Sequence, residues 1–176
     1  KQVTGGKGRK NVSVMIDYHY CSKDFKDYPK LDDGEVSLIR MTSRKDNLKD
    51  AIPFASALKE YTGIEMSFNM SNITNYGDAE LNGVIDQLLK YEFEYIYMAD
   101  TDGCLDLGKD MNRYEEKWKR IQDSGKKAGI HLHNHLGRAY MNYRKCLSSP
   151  YVELCDTSVG ALGKGAGNLR LEEVLD

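Results

Sequence analysis

Residues 94–133, EYIYMADTDGCLDLGKDMNRYEEKWKRIQDSGKKAGIHLH, contain one complete repeat of the pattern that decides the fold. The apolar, partly aromatic run Glu94–Ala99 predicts a strand, and so does the run Ala128–His133. Between them apolar side chains recur at helical spacing, at Met111, Tyr114, Trp118 and Ile121. A strand, a helix and a second strand in this order predict a parallel βαβ unit with a right-handed crossover.

The same unit recurs about every thirty residues along the chain. Four further runs predict strands: Val12–Tyr18, Val36–Met41, Ile64–Met70 and Val152–Cys155. Two further apolar stripes predict helices: Leu48, Ala51, Ile52, Ala55 and Leu58, and then Leu81, Val84, Ile85, Leu88 and Leu89. This α/β pattern fits either a (β/α)₈ barrel or an open doubly wound sheet, and in both the chemistry collects at the carboxyl ends of the strands.

Composition limits the classes of function that remain. The 176 residues suffice for one domain with a core but fall short of the roughly 250 of a closed barrel. Lys plus Arg (25) nearly balance Asp plus Glu (27), and no apolar run approaches the roughly 18 residues of a membrane span. Four scattered cysteines without a CxxC pair favour reduced thiols. We therefore expect a cytoplasmic protein with no nucleic-acid or membrane partner, and a mobile loop over Lys1–Lys10.

Polar side chains follow the predicted strands at or near the points where they end. They are Arg40, Asn69, Asp100 with Thr101, His131 with His133, and Asp156. Because the carboxyl ends of parallel strands meet at one edge, this pattern predicts an active-site mouth. Asp17 and His19, which share a face after the first run, are further candidates for it.

His131-Leu132-His133 predicts a metal site, because side chains at i and i+2 of a strand point to the same face. Two imidazoles on one face can bind one divalent ion, whereas the alternative is two half-exposed histidines at a strand end. His135 is expected in the following loop.

Two loops are candidates for substrate binding. The glycine-rich segment Gly160–Asn168 (GALGKGAGN) precedes an expected helix near Leu169 and fits either an anion site or a tight turn. Asn168 either caps that helix or faces the metal. In the second loop the Thr101 hydroxyl can bind a substrate carboxylate, while Asp100 is either a metal neighbour or part of an acidic turn.

Three segments together resemble the pyruvate-aldolase and HMG-CoA-lyase-like group, the DRE-TIM metallolyases. They are ADTDG (Ala99–Gly103), HLHNHLGRAYMN (His131–Asn142) and DTSVGALGKGAGNLRLEEV (Asp156–Val174). GKGAGN is most similar to 4-hydroxy-2-oxovalerate aldolases, whereas LEEV and HN-x-LG resemble isopropylmalate and citramalate synthases. The resemblance implies an incomplete (β/α)₈ TIM barrel, strands three to eight, as a single partial domain over residues 1–176.

The resemblance also implies roles for individual residues. His131 and His133 match the metal-binding pair, Asn168 matches an asparagine that approaches the metal, and Thr101 matches the hydroxyl that binds the substrate carboxylate. Asn69 and Arg40 are added as substrate-binding candidates from their strand-end positions. The implied cofactor is a divalent metal, Mn²⁺, Mg²⁺ or Zn²⁺.

The chain departs from the family pattern in two places. His135 stands where many members carry Asp, which blurs the branch of the family. The Asp-Arg-Glu-like first strand has no counterpart, so the acid, base and catalytic Arg expected there are not assigned to residues of this chain.

These inferences favour a metal-dependent aldolase or lyase that acts next to a 2-oxo acid, with a small 2-oxo or hydroxy acid as its ligand. The alternatives are an acyl-CoA-dependent Claisen synthase or lyase, a non-catalytic barrel fragment that serves as a binding module, and an open-sheet nucleotide binder. An incomplete barrel leaves sheet edges open, so a second copy or a partner chain is expected to cover them.

Overall fold

The computed structural model describes residues 12–175, so the expected mobile loop Lys1–Lys10 lies outside the described residues. Six parallel strands form one sheet in chain order: β1 (Ser13–Asp17), β2 (Leu38–Ser43), β3 (Glu65–Met70), β4 (Tyr95–Asp100), β5 (Lys127–Leu132) and β6 (Leu154–Asp156). Five α-helices alternate with the strands from β2 onward: α1 (Leu48–Thr62), α2 (Asp78–Leu88), α3 (Leu107–Asp123), α4 (Ala139–Cys146) and α5 (Leu171–Leu175).

The strand order decides between the two predicted architectures. A doubly wound sheet reverses its strand order at a switch point, whereas here every strand pairs with its neighbour in sequence. The six strands with their alternating helices therefore form part of a (β/α)₈ barrel, which confirms the predicted incomplete barrel. Between β1 and β2 the described chain forms two short 3₁₀ turns, Phe25–Asp27 and Leu31–Asp33, where a barrel usually has a helix.

The two faces of the sheet have different chemistry. Residues paired across parallel strands share a face, and the face toward the helices is apolar and fully buried: Ile39, Met41, Met66, Phe68, Met70, Ile96, Met98, Ala128, Ile130 and Leu132. Helix α3 packs on β5, and α1 packs on β3. The concave face instead carries polar side chains, in the row Asp17–Thr42–Asn69 and in the pair His131–Asp156.

The three apolar stripes predict α1, α2 and α3 correctly, whereas α4 gives no comparable signal. Its buried side chains are only Ala139, Asn142 and Cys146, and one of them is polar. No helix within residues 12–175 has the length and apolar character needed to cross a bilayer.

The predicted end of the second strand was wrong. The strand does not close at Arg40 or Met41 but runs to Ser43, because Thr42 and Ser43 continue the ladder opposite Asn69 and Met70. Arg40 therefore lies inside the strand, and Arg44 is the first residue after it.

A glycine on β5 makes room for an aromatic ring on the concave face. A Cβ placed on Gly129 would lie 2.5 Å from ring carbons of Tyr97, the residue paired with it on β4. The Arg40 guanidinium lies over the same ring, 4.5 Å from its centre. The ring is thus held close against β5 on one side and contacted by a cation on the other.

We predict that Gly129→Ala lowers the free energy of unfolding by about 1–3 kcal/mol, because the new methyl group overlaps Tyr97 in a packed layer. Urea denaturation followed by circular dichroism measures the change. Gly83→Ala in α2 is the matched control: its Cβ meets nothing within 4 Å, so it should stabilise the helix by about 0.5–1 kcal/mol. Equal effects of the two substitutions would contradict this account of Gly129.

Candidate metal centre

The two histidines of the HxH motif converge at the carboxyl end of β5. His131 is the fifth residue of the strand, and His133 follows it in an isolated antiparallel bridge to Asn168. Their Nε2 atoms lie 3.2 Å apart. Leu132, between them, is fully buried on the opposite face, so the predicted common face of the two imidazoles is present.

Each imidazole is held through its other ring nitrogen. His131 Nδ1 lies 2.8 Å from Asp156 Oδ2, and His133 Nδ1 lies 3.2 Å from the Lys164 carbonyl oxygen. Because a carboxylate and a carbonyl only accept, both Nδ1 atoms donate, so in the neutral form of either ring the lone pair is on Nε2. Burial, and then the neighbouring His131, lower the pKa of His133, which favours the neutral ring.

Two lone pairs facing each other at this separation repel unless a cation or a shared proton lies between them. Two imidazole nitrogens 3.2 Å apart are close enough to bind one divalent ion together, so the pair fits one divalent metal.

Asp156, the last residue of β6, connects the histidine pair to a buried ion pair. The same Oδ2 that accepts from His131 also accepts from Arg40 Nη2, and both side chains are largely shielded from solvent. Burial opposes ionisation of Asp156, but the hydrogen bonds from His131 and Arg40 outweigh it and hold the pKa below its ordinary value. The carboxylate is therefore charged and fixes the His131 tautomer.

Asn168 contributes an oxygen to the same place. Its Nδ2 donates to the Leu162 carbonyl at 3.0 Å, while its Oδ1 is buried with no hydrogen-bond partner. The alternative that Asn168 caps a helix near Leu169 is wrong, because α5 begins at Leu171. A buried oxygen without a donor beside two imidazole lone pairs suits an oxygen-binding divalent cation.

A cavity of about 390 Å³ opens over these groups on the concave face. It is lined by predicted residues His131, His133, Asn168, Thr101 and Asn69, and also by Asp17. Neither Arg40 nor His19 lines it. The substrate contact predicted for Arg40 stays a prediction, and the guanidinium is directed at Asp156 and Tyr97.

Thr101 is positioned by a strained residue in the preceding loop. Asn72 has a left-handed φ of 56°, and its backbone N–H donates to Thr101 Oγ1 at 3.0 Å. The Asn72 side chain donates to Asp102 Oδ1 at 2.8 Å, and Asn75 donates to Oδ2 at 3.0 Å. With its oxygen accepting from Asn72, the Thr101 hydroxyl has its own proton to donate into the cavity.

Asp100 belongs to the turn rather than to the metal centre. Its carboxylate is fully buried and accepts the backbone N–H groups of Cys104 and Leu105 at 3.0 and 3.1 Å. It points to the helix side of the sheet, so the acidic-turn interpretation is confirmed. His135 lies in the turn after β5, as predicted.

Sequence reasoning placed Asp156 at the mouth but did not identify it as the partner of His131. Asp156 is the cross-strand neighbour of His131, a pairing that only the register reveals. Asn72 carried no signal, since asparagine in a loop is ordinary. Within residues 12–175 no group of three or more His, Cys, Asp or Glu side chains is placed to hold a metal ion, so the imidazole pair needs the Asn168 amide or other oxygen ligands.

The fold is shared with several enzymes of known structure. HMG-CoA lyase from Bacillus subtilis superposes with a TM-score of 0.73 and 13% identity, over 93% of this chain and 60% of that one. The N-terminal domain of a protein assigned as an aldolase from Bacteroides vulgatus superposes with a TM-score of 0.67 and 22% identity, over 94% of this chain and 54% of that one. The carboxyl transferase domain of Rhizobium etli pyruvate carboxylase superposes with a TM-score of 0.65 and 15% identity, over 82% of this chain and 25% of that one.

The chain thus spans 54–60% of the length of the first two structures, and identities this low show the fold alone. No curated protein matches the sequence. The similarity to 4-hydroxy-2-oxovalerate aldolases in particular stays a prediction.

A family model described as HMGL-like matches residues 37–176, which contain the histidine pair, Asp156, Thr101 and Asn168. The match covers well over half of the sequence, and the predicted DRE-TIM resemblance is confirmed by it together with the fold. The chain therefore belongs to the HMGL-like family.

Proposed function

We propose that this chain carries the metal-binding side of a divalent-metal-dependent lyase that breaks or forms a carbon–carbon bond next to a 2-oxo acid. The observation that carries the proposal is the histidine pair: two Nε2 lone pairs 3.2 Å apart, each fixed because the Nδ1 of the same ring donates elsewhere. Membership of the HMGL-like family supports the same chemistry.

His131, His133 and Asn168 would hold the ion, and their mixed nitrogen and oxygen donors suit Mn²⁺, Mg²⁺ or Zn²⁺. When bound, a divalent ion supplies a Lewis acid that stabilises negative charge on the 2-oxo oxygen. Thr101 donates its hydroxyl proton to the substrate carboxylate and so orients the 2-oxo acid. Asn69 lines the cavity beside it, with its Oδ1 accepting from Ser67 Oγ at 2.6 Å.

For a 4-hydroxy-2-oxo acid, the cleavage removes the proton of the 4-hydroxyl group and breaks the bond between C3 and C4. The bonding electron pair passes to the pyruvate half as an enolate, which takes a proton at C3, and the other half leaves as an aldehyde. Among described acidic side chains Asp17 lines the cavity. The base that takes the hydroxyl proton is not assigned to a residue of this chain.

A second candidate is an acyl-CoA-dependent Claisen synthase or lyase. The segments LEEV and HN-x-LG, which resemble isopropylmalate and citramalate synthases, favour it. Both candidates need the same histidine pair, so the products and not the metal distinguish them. A non-catalytic binding module is the remaining alternative.

A partner that covers the open sheet edges is also part of the proposal. Among described strands β1 and β6 each pair on one side only, and unpaired backbone groups at an edge favour association. A second copy or another chain would satisfy them.

We predict that His131→Ala and His133→Ala each abolish stoichiometric binding of Mn²⁺ and reduce metal-dependent pyruvate release to background, because one imidazole alone cannot chelate the ion. Elemental analysis of the purified protein measures the metal, and a lactate-dehydrogenase coupled assay measures pyruvate. His19→Ala is the matched control, since His19 is exposed and does not line the cavity. Full metal content in both variants would contradict the assignment.

Asp156→Asn is predicted to weaken metal affinity about 10–100-fold, because a neutral amide holds the His131 tautomer less firmly than a carboxylate does. Competition with a metal-sensitive dye measures the affinity. Asp110→Asn, an exposed position in α3, should leave it unchanged. Equal affinities in the two variants would show that Asp156 does not position His131.

The products decide between the two enzymatic candidates. We expect the native protein to release pyruvate from at least one 4-hydroxy-2-oxo acid in the presence of Mn²⁺, and chelation of the metal to stop that release. Formation of free CoA thiol from acyl-CoA and a 2-oxo acid, without pyruvate release, would establish the Claisen reaction instead. A folded protein with neither activity would support the binding module.

A further inference from the structure

Two cationic side chains at the rim of the cavity have no partner within the part of the chain that the structure describes. Arg44 follows the end of β2, and Lys164 lies in the glycine-rich loop before Asn168; both are exposed. Neither side chain forms an ion pair or a hydrogen bond with any residue from 12 to 175. Elsewhere on the surface Lys45, Lys59 and Arg120 each meet a carboxylate.

Both cations face the space next to the histidine pair. They line the cavity over His131 and His133 and also an adjoining cavity of about 440 Å³, and the two cavities share Thr101 and Asn72. Volumes of this size are typical of small-molecule sites. A ligand held at the histidines and Thr101 therefore has room to extend toward the rim.

The carboxylates nearby are engaged with other groups. Asp102 lines the adjoining cavity, but both of its oxygens accept from the amides of Asn72 and Asn75. Asp156 is bound to Arg40 and His131. Asp17 lines the first cavity and accepts the backbone N–H of His19. The lining of the adjoining cavity therefore carries one net positive charge, because Arg44 and Lys164 outnumber the single carboxylate of Asp102.

Lys164 is tied to the metal centre by its backbone. Its carbonyl accepts from His133 Nδ1 at 3.2 Å, while its side chain lines both cavities. The residue that contacts the His133 ring therefore also carries the cation, so the ammonium group lies no farther from that ring than the length of one lysine residue allows. A cation at this position can contact the far end of a molecule that is bound at the histidines.

We propose that Arg44 and Lys164 bind a second anionic group of the substrate, so that the substrate class is a 2-oxo acid whose distal end carries a carboxylate or a phosphate. This inference rests on the proposed function for the placement of the 2-oxo acid end. A neutral alkyl end would leave two cations facing an uncharged group, and an anionic end forms charge-assisted hydrogen bonds with them.

Calorimetry with non-cleavable ligands tests the inference without an activity assay. The native protein, with Mn²⁺ present, is titrated with 2-oxovalerate, with 2-oxoglutarate, and with 2-oxo-4-phosphonobutyrate. We expect one of the two dianionic ligands to bind at least about fivefold more tightly than 2-oxovalerate, and its identity separates a carboxylate from a phosphate specificity. Equal or weaker binding of both would overturn the proposal.

The variants locate the effect at the rim. For each variant, the Kd of 2-oxovalerate is divided by the Kd of the preferred dianionic ligand. Arg44→Gln and Lys164→Gln should each reduce this ratio about fivefold. Lys145→Gln removes an exposed cation of α4 that lines neither cavity, and should keep the wild-type ratio. A ratio that all three variants change equally, or that none changes, would overturn the assignment to Arg44 and Lys164.

The two proposals fail in different ways. If the protein prefers the dianionic ligand but releases no pyruvate from any 4-hydroxy-2-oxo acid, the result supports the specificity and contradicts the lyase function. A protein that cleaves such acids without any preference for an anionic distal end keeps the lyase function and loses the specificity.

Discussion

The hydrogen bond from His131 Nδ1 to Asp156 determines what the rest of the site can do. One carboxylate oxygen accepts from this imidazole and from Arg40, so a single group on β6 is shared by β5 and β2. It sets the tautomer of His131, keeps the Nε2 lone pair facing His133, and neutralises a guanidinium that is otherwise buried against Tyr97. Removal of that charge would leave Arg40 unpaired in the concave face, which is costly.

This arrangement depends on the contrast between the faces of one parallel sheet. The helix side is mostly hydrocarbon, and Phe68, Met98 and Ile130 are fully buried there. It provides the stability, so the concave side can carry polar groups, several of which hydrogen-bond to each other. Parallel register then places each polar residue beside one on the next strand, and the carboxyl ends of the strands meet at the cavity.

Much of the fold was predictable because it depends on local patterns. Trp118 and Ile121 lie on the buried stripe of α3, and the apolar runs fall within or beside β3, β4 and β5. The ends of the strands were less predictable. The polar residues Thr42 and Ser43 continue β2 because they pair with residues of β3. The HxH pair was visible from i, i+2 spacing alone. The function of Asp156 was not, since it comes from a residue 25 positions from His131.

The sequence by itself determined the alternation of strands and helices, the common face of His131 and His133, and the family to which the chain belongs. All of these depend on residue spacing or on short motifs. Only the tertiary structure decided that Asp156 and not the solvent holds His131, that Asn168 keeps a buried oxygen without a partner among the described residues, and that Arg44 and Lys164 line the cavity. Such contacts join residues from different strands and loops, and their distances are set by strand register and loop closure, which no local pattern encodes.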